Sequence, residues 1–273
     1  MTHFQAFVLG ALQGLTEFLP VSSSAHLLLA PWFFGWKDPG LAYDVFIHGG
    51  TLLALLVYFG RDWWQLLKAG LLSVIERKIG FHRERKLAWL IVVATIPAVI
   101  AGLTLEKTIE AHTRVPLLVA ASLSFLGLLL YWIDGKYPSI RHLEEMSFKD
   151  AIWIGIAQCF ALFPGVSRSG STITMGRLQG FHRPAAARFS FFLAFPITLG
   201  AFVHKLPEVR HMAQTGALEW SILITGFVTS AITGLFAIHI LLAYVRSADF
   251  RIFAWYRVLL AGCVLGWSLL CGC

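Results

Sequence analysis

Six long apolar stretches restrict this chain to one class of fold. They cover roughly residues 42–60, 87–106, 115–133, 185–206, 220–244 and 252–271. Each has about the 20 apolar residues that a helix needs to cross a bilayer. Only 14% of the residues are charged, against about 25% in an average soluble domain. The sequence therefore predicts an all-α polytopic membrane protein, with residues 1–273 forming a single membrane domain.

Two further apolar regions are each interrupted in the middle. The first, at about 4–36, is broken at Pro20 and the serines that follow it, and the second, at about 150–180, is broken at Pro164 and Gly165. Proline stops a helix, and serine caps the start of the next one. Because no remaining piece is long enough to cross the membrane, each region is predicted to be a re-entrant helix hairpin. Irregular backbone at this depth must be buried in protein or line a wet cavity.

The two broken regions also resemble each other in sequence. QGLTEFLPVSSS (13–24) aligns without gaps to QCFALFPGVSRS (158–169), with five of the twelve positions identical. Each hairpin is followed by three full spans, which predicts two repeats, at 1–133 and 150–273. Three crossings deliver the second repeat upside down, so the two hairpins enter from opposite faces and meet near the midplane. Inverted repeats of this kind place binding sites at discontinuous helices.

Lysine and arginine in the loops predict the orientation. The loop at 61–86 contains seven of them, and the positive-inside rule places 61–86, 134–150 and 245–251 in the cytoplasm. The first hairpin then enters from the extracytoplasmic side and the second from the cytoplasm. The net charge of +7 fits such loops. No basic face has the interleaved aromatic residues that bind nucleic acid, so no nucleic-acid partner is expected.

The break in the first hairpin contains an acidic residue. Glu17 is the only carboxylate in the first 37 residues, and an ionisable residue inside a membrane is a functional candidate by default. Gln13 lies four residues earlier, on the same face of the helix. The two side chains could hold a hard divalent cation, Mg²⁺ or Ca²⁺, with water and phosphate completing its shell. The structural alternative is a Glu17 that is neutralised by a neighbouring arginine.

The break in the second hairpin contains a positively charged residue. Arg168 offers forked donors that suit phosphate oxygens, and two half-helix N-termini meeting in one cavity would form an anion site. A structural ion pair between Arg168 and Glu17 is the alternative. His26 is interpreted as an acid/base group or as a hydrogen-bonded core histidine. The serines of the first break could cap the next half-helix or act as nucleophiles. His48, with the two glycines that follow it, is interpreted as close packing at a contact between a hairpin and a span.

These motifs resemble the undecaprenyl-diphosphatase family of bacteria, also called the bacitracin-resistance family. The family's first motif, E/Q-x-x-x-E running into F-L-P-[VI]-S-S-[ST]-[GA]-H, reads QGLTEFLPVSSSAH at 13–26. The second, P-G-x-S-R-S-G, reads PGVSRSG at 164–170. Both have the expected separation, and the layout of spans agrees over essentially the whole chain.

The resemblance implies an activity. Members of the family remove the terminal phosphate of undecaprenyl diphosphate at the bacterial inner membrane, with a divalent metal. The product, undecaprenyl phosphate, is the lipid carrier for peptidoglycan and other envelope polymers. Overproduction confers bacitracin resistance, because bacitracin sequesters the diphosphate lipid. The implied partners are this substrate and membrane lipids, and small residues in the spans also allow a homodimer.

The resemblance also implies residue roles. Glu17 matches the essential carboxylate that helps to place the metal, and Gln13 stands where many members have a second glutamate. Ser23 matches the proposed nucleophile, His26 the proton-transfer histidine and Arg168 the phosphate-gripping arginine. A water activated by His26 is the alternative nucleophile. The other implied phosphate-binding residues are Ser22, Ser24, Ser167, Ser169 and Gly170.

Two other functions compete with this interpretation. A carrier with the same inverted repeat could flip a polyprenyl phosphate between leaflets. A second class of membrane lipid phosphatase has P-S-G-H and S-R-x5-H motifs. The chain lacks P-S-G-H and has Thr174 where the latter motif needs histidine, which excludes that class. For the diphosphatase, the predicted topology opens the site to the extracytoplasmic side.

Overall fold

A computed structural model describes residues 1–79, 82–216 and 218–271. In these parts of the chain the backbone forms eleven α-helices and two short 3₁₀ turns, and no β-strand. The helices are α1 (His3–Phe18), α2 (Ser23–Phe34), α3 (Leu41–Tyr58), α4 (Gly60–Ile75), α5 (Arg83–Thr113), α6 (Pro116–Lys136), α7 (Phe148–Cys159), α8 (Arg168–Leu178), α9 (Arg183–Gln214), α10 (Trp220–Tyr244) and α11 (Arg251–Cys271). The 3₁₀ turns are Leu143–Glu145 and Phe160–Leu162.

Six of these helices are long and apolar enough to cross a membrane, namely α3, α5, α6, α9, α10 and α11. They coincide with the six predicted spans, which are therefore confirmed, and the chain is a multi-pass membrane protein. α9 runs past its predicted end to Gln214. Backbone hydrogen bonding continues where the apolar pattern stops, because the polar residues of that last part also accept a helical conformation.

The region between the first two spans is not simply a loop. Residues 60–75 form α4, which buries Trp63 and Leu66 and leaves Trp64, Leu67 and Leu71 exposed. Apolar residues three and four apart give the helix one face toward the protein and a second apolar face toward its surroundings. The basic residues that predicted a cytoplasmic loop therefore lie partly on this helix.

The two broken regions each form a pair of short helices joined by a non-helical segment. The first segment, residues 19–22, links α1 to α2 and is here called the first loop. The second segment, residues 163–167, links the 3₁₀ turn after α7 to α8 and is called the second loop. Each loop ends in a serine at positive φ, Ser22 at 74° and Ser167 at 73°. Such a conformation costs about 1–3 kcal/mol for a residue with a side chain, and it clusters at functional sites.

Those two serines also start the helices that follow. The Ser22 side chain accepts a hydrogen bond from the Ala25 amide, and the Ser167 side chain accepts one from the Gly170 amide. Each therefore satisfies one of the free amides at a helix start. The capping that the sequence predicted is confirmed in both loops.

Close helix packing surrounds the loops. α1 packs on α10 and α7 packs on α5, while α3 pairs with α9 and α6 pairs with α11. Gly10 lies against the backbone of Gly226 in α10, and Gly155 lies against the backbone of Ala94 in α5. At both glycines an added Cβ would collide with the facing helix, so the small residue allows the contact. The two loops are thereby held in the interior of the helix assembly.

Candidate active site

A cavity of about 270 Å³ lies between the end of α1, the start of α2, the second loop, α3 and α9. Its polar lining consists of Glu17, Ser23, Ser24, Asp44, His48, Arg114, Gln158, Ser167, Arg168 and Thr198. The rest of the lining is largely aliphatic, including Leu27, Leu28, Leu41, Val45, Leu162 and Ile197. A cavity of this kind can take a ligand that has a charged head and an apolar tail.

Glu17 is the centre of the polar network. It lies in the last turn of α1 and is 7% exposed. Its Oε1 accepts a hydrogen bond of 2.7 Å from Arg168 Nη2, and its Oε2 accepts bonds from Ser23 Oγ at 2.5 Å and Gln13 Nε2 at 3.1 Å. The ion pair considered as a structural alternative is therefore present. It also joins the end of α1 to the start of α8, so the two sequence motifs meet at one carboxylate.

Ser23 is positioned as a nucleophile would be. Its hydroxyl lines the cavity and donates to the Glu17 carboxylate. A serine hydroxyl within hydrogen-bond reach of a base, which is itself oriented by a third group, is the arrangement of an activated nucleophile. Arg168 provides the third group here. The structure thus brings together three of the four residues to which catalytic roles were assigned.

His26, the fourth, lies elsewhere. It is buried and is not part of the cavity lining. Its Nδ1 lies 2.7 Å from the Ser22 carbonyl oxygen, and its Nε2 lies 2.7 Å from the Tyr256 hydroxyl, with the two rings stacked. Because a carbonyl only accepts, Nδ1 bears a proton and donates to Ser22, and when the ring is neutral the tyrosine hydroxyl donates to Nε2. His26 holds the first loop and has the geometry of the hydrogen-bonded core histidine.

His48 takes a position in the site that the sequence did not predict. Its Nε2 lies 3.4 Å from Glu17 Oε2, and its Nδ1 donates to the Asp44 carbonyl oxygen at 2.6 Å. The two adjacent glycines pack closely, as predicted, but their nearest neighbours lie in the spans α9 and α10 rather than in a hairpin. His48 itself lines the cavity. The signal that could have found it is a pair of ionisable residues, Asp44 and His48, one helical turn apart inside a predicted span.

The residues implied in phosphate binding fall into two groups. Ser24, Ser167 and Arg168 line the cavity. Ser22, Ser169 and Gly170 make contacts within and between the loops. Ser169 Oγ donates to the Leu19 carbonyl at 3.0 Å, and the Gly170 amide donates to Ser167 Oγ at 3.0 Å.

Gln13 supports Glu17 through its amide nitrogen. A carboxylate can only accept, so the Nε2 group faces Glu17, and the buried Oε1 has no hydrogen-bond partner in the described structure. Among the residues that the structure describes, no group of three or more His, Cys, Asp or Glu side chains could hold a metal ion. A divalent cation at Glu17 would therefore take most of its ligands from a phosphate and water, as Mg²⁺ commonly does.

The start of α7 is fixed by an ion pair outside the spans. Arg141 Nη2 donates to Asp150 Oδ2 at 2.7 Å, and the Ser147 hydroxyl donates to the same oxygen at 2.7 Å. Burial raises the pKa of Asp150, but the hydrogen bonds from Arg141 and Ser147 outweigh this and bring the pKa below its ordinary value. This pair orients the helix whose last turn brings Gln158 to the cavity.

Comparison with known proteins gives one consistent result. Residues 6–263 match the family model described as "Bacitracin resistance protein BacA". The undecaprenyl-diphosphatase of Gemmatimonas aurantiaca is 48% identical over 262 residues, which cover 95% of this chain and 96% of that protein. The undecaprenyl-diphosphatase of Caldicellulosiruptor bescii is 46% identical over 272 residues, or 99% of both chains. The protein of the same name from Pelotomaculum thermopropionicum is 45% identical over 258 residues, or 94% of both chains.

Proposed function

The chain belongs to the bacitracin resistance protein BacA family, and we infer that it is an undecaprenyl-diphosphatase. It hydrolyses undecaprenyl diphosphate to undecaprenyl phosphate and inorganic phosphate. The observation that carries this function is the Ser23–Glu17–Arg168 arrangement in a cavity whose non-polar lining is largely aliphatic. The names of the relatives support dephosphorylation and give the carrier alternative no support.

The activity recycles a lipid carrier. Undecaprenyl phosphate serves peptidoglycan and other envelope polymers, so the enzyme belongs to cell-wall biogenesis at the bacterial inner membrane. Removal of the diphosphate form also withdraws the target of bacitracin, which is the origin of the family's resistance phenotype. The six apolar spans fit this location.

In the proposed reaction, the Ser23 hydroxyl attacks the terminal phosphorus. The new Oγ–P bond forms as the bond to undecaprenyl phosphate breaks, and the serine proton passes to Glu17. Water then attacks the phosphorus and the Oγ–P bond breaks. Glu17 returns its proton to the Ser23 oxygen, the hydroxyl of the water stays on the phosphate, and the remaining proton leaves with the inorganic phosphate, so that Glu17 is ionised again. The short Ser23–Glu17 bond supports serine as the nucleophile over a water held by His26, which lies outside the cavity lining.

Charge stabilisation comes from groups at both loops. Ser22 and Ser167 cap the third amide of α2 and of α8, so the first two amides of each helix have no intrahelical partner and suit an anion. Arg168 exchanges Glu17 for a phosphate oxygen when substrate enters. Such positioning and electrostatic stabilisation is most of what phosphoryl transfer requires.

Glu17 is proposed as the residue that would hold a divalent cation, Mg²⁺ or Ca²⁺, which would supply positive charge near the diphosphate oxygens. Gln13 assists by orienting the carboxylate through its amide nitrogen. The absence of a preformed cluster of ligands within the described residues is consistent with a cation that enters with the substrate.

The inverted repeat is likewise proposed, and several matches support it. In the register of the sequence alignment, Thr2 and Ser147 each start a helix with a capping box. Ser22 and Ser167 have the same positive φ in the two loops. Gly10 and Gly155, which are also equivalent, make the α1–α10 and α7–α5 contacts. A two-fold relation would further pair α3 with α9 and α6 with α11, as observed.

Orientation and oligomeric state rest on sequence alone. The basic residues of 61–86 favour a cytoplasmic position for that region, so we propose that the cavity opens to the extracytoplasmic side. The homodimer that small residues in the spans allow stays a prediction.

The test is phosphate release from undecaprenyl diphosphate by the purified protein in detergent. Release with Mg²⁺ or Ca²⁺ and loss of release with chelator are expected, as is loss in Glu17→Ala and Arg168→Ala. Ser221→Ala, an exposed serine of α10, is the matched control and should retain full activity. If folded wild-type protein releases no phosphate with either metal, the proposed function is wrong.

A further inference from the structure

Arg257 is a fully buried arginine in the second turn of a predicted span. It lies on α11 and has 0% exposure. All its hydrogen-bond acceptors among the described residues are backbone carbonyl oxygens, and no carboxylate is among them. Burial of a charge without a counter-ion is costly, and an intramembrane ionisable residue with no ion-pair partner calls for a functional explanation.

The contacts of Arg257 join both loops of the active site. Nη1 donates to the Pro20 carbonyl in the first loop at 3.1 Å. Nη2 donates to Gly165 and Val166 in the second loop at 2.8 and 3.1 Å. Nε donates to the Leu123 carbonyl of α6 at 3.0 Å. One planar guanidinium therefore holds both loops and anchors them to a full span.

The neighbourhood is shaped to admit this guanidinium. Gly170, at the start of α8, faces it: an added Cβ would lie 2.9 Å from Arg257 Nη1 and 3.1 Å from Ser167 Oγ. Any side chain at this position would push the guanidinium away from the loops. Gly170, which the family resemblance implied in phosphate binding, is therefore also the residue that leaves room for the guanidinium.

A second buried arginine provides a contrast. Arg177, at the other end of α8, is also almost inaccessible, but its Nε donates to the Asp134 carboxylate at 2.6 Å. Its carbonyl contacts, Tyr137 and Phe181, lie outside the two loops. Arg177 therefore has an ordinary structural ion pair, whereas Arg257 is committed to the loops that form the site.

The loops need such a fixed connection during the reaction. Glu17 lies next to the first loop and Arg168 follows the second, so their ion pair is a direct link between the two. In the proposed mechanism Arg168 leaves Glu17 for phosphate, which breaks that link when alignment matters most. Ser169, which donates to the Leu19 carbonyl, is a single weaker tie.

We propose that Arg257 is a positioning residue of the phosphatase site, which holds the two loops at a fixed separation while Arg168 exchanges Glu17 for substrate phosphate. The proposal rests on the proposed function. Arg257 acts through the loops and need not touch the substrate. A lysine at this position offers a single donor centre and cannot reach both loops in the same way.

The experiment compares Arg257→Lys with Arg177→Lys in detergent. For Arg257→Lys we expect kcat for phosphate release to fall at least tenfold in the folded fraction, with KM changed less than threefold. Arg177→Lys should lower the thermal unfolding midpoint and leave kcat within threefold of wild type. An Arg257→Lys protein that is less stable but keeps wild-type kcat would overturn the proposal, because that is the result of a purely structural role.

Hydrogen–deuterium exchange provides a readout that does not depend on turnover. Peptides covering 15–26 and 163–172 should exchange faster in Arg257→Lys and not in Arg177→Lys. Equal protection of both loops in the two variants would contradict the inference. Inactive wild-type protein would refute the proposed function, and the exchange data would still decide whether Arg257 holds the loops.

Gly170→Ala is the second variant, for the case in which Arg257→Lys does not fold. It keeps the arginine but presses on its guanidinium. It should reproduce the loss of kcat and the faster exchange of both loops. Wild-type kcat and protection in Gly170→Ala would count against the proposal.

Discussion

The Ser23 hydroxyl donates a hydrogen bond of 2.5 Å to Glu17 Oε2, while Arg168 Nη2 donates one of 2.7 Å to Oε1 of the same carboxylate. The proposed nucleophile at one helix start and the proposed phosphate-binding arginine at another therefore share a single acidic residue. Each of the three side chains constrains the other two. Because of this coupling, substitutions of the three residues should have effects that an experiment can distinguish.

Removal of the Ser23 hydroxyl should abolish turnover without unfolding the protein. Because the serine is the attacking atom in the proposed reaction, Ser23→Ala should lower kcat about 10³-fold or more. Ser24→Ala is the matched control: Ser24 lines the same cavity but bonds to Ser22 rather than to Glu17, so it should lose less than about tenfold. Phosphate release measures both variants, and mass spectrometry after acid quench should find phosphate on Ser23 of the wild type. Wild-type turnover by Ser23→Ala would point to water as the nucleophile.

Variants of the Glu17–Arg168 pair should separate an effect on stability from an effect on activity. Glu17→Gln leaves the Arg168 charge without its partner in a buried site, which costs about 3–5 kcal/mol in comparable cases, so the unfolding midpoint should fall. Glu17→Gln combined with Arg168→Met removes both charges and should recover much of that stability while remaining inactive. Thermal unfolding in detergent and phosphate release measure the two effects. Recovery of activity in the double variant would mean that the pair is only structural.

The geometry of His26 predicts an unusual order among its variants. Nδ1 donates to the Ser22 carbonyl, and asparagine can place an amide N–H close to the same position. His26→Asn should therefore retain about tenfold more activity than His26→Ala, because it still holds the first loop. A histidine that works by proton transfer would leave both variants equally inactive. Steady-state rates at fixed metal concentration distinguish these outcomes.

Stability should depend on pH through Asp150. The pKa of Asp150 is lowered in the folded protein from its ordinary value of 3.8. Its ionised form therefore adds stability that is fully present above about pH 4 and is lost as pH falls through the lower folded pKa. Asp150→Asn should lower the unfolding midpoint at pH 7, and the difference from wild type should shrink below pH 4. Glu208→Gln, at an exposed pair with Lys205, should change the midpoint little at either pH. An Asp150→Asn difference that is constant over pH 3–7 would contradict the assignment.

The sequence determined the membrane class and the parts of the site that are local in the chain. Uninterrupted apolar length predicted all six spans, since a bilayer core imposes that length on any crossing helix. Proline and serine at the two breaks predicted where helices stop and start, because chain termination and capping depend on neighbouring residues only. The two motifs also predicted Glu17, Ser23 and Arg168 as site residues, and the structure brings these three side chains into contact.

Only the tertiary structure decided which distant side chains share the site. His48 from α3 reaches Glu17, and Arg257 from α11 reaches both loops, although each lies in a span whose apolar pattern resembles ordinary lipid-facing helix. The sequence also did not show which way the Gln13 amide faces or that His26 is not part of the cavity lining. Such contacts depend on how helices far apart in the chain pack together. Hydrophobic periodicity predicts which face of a helix is buried, but it does not predict which helix packs against that face.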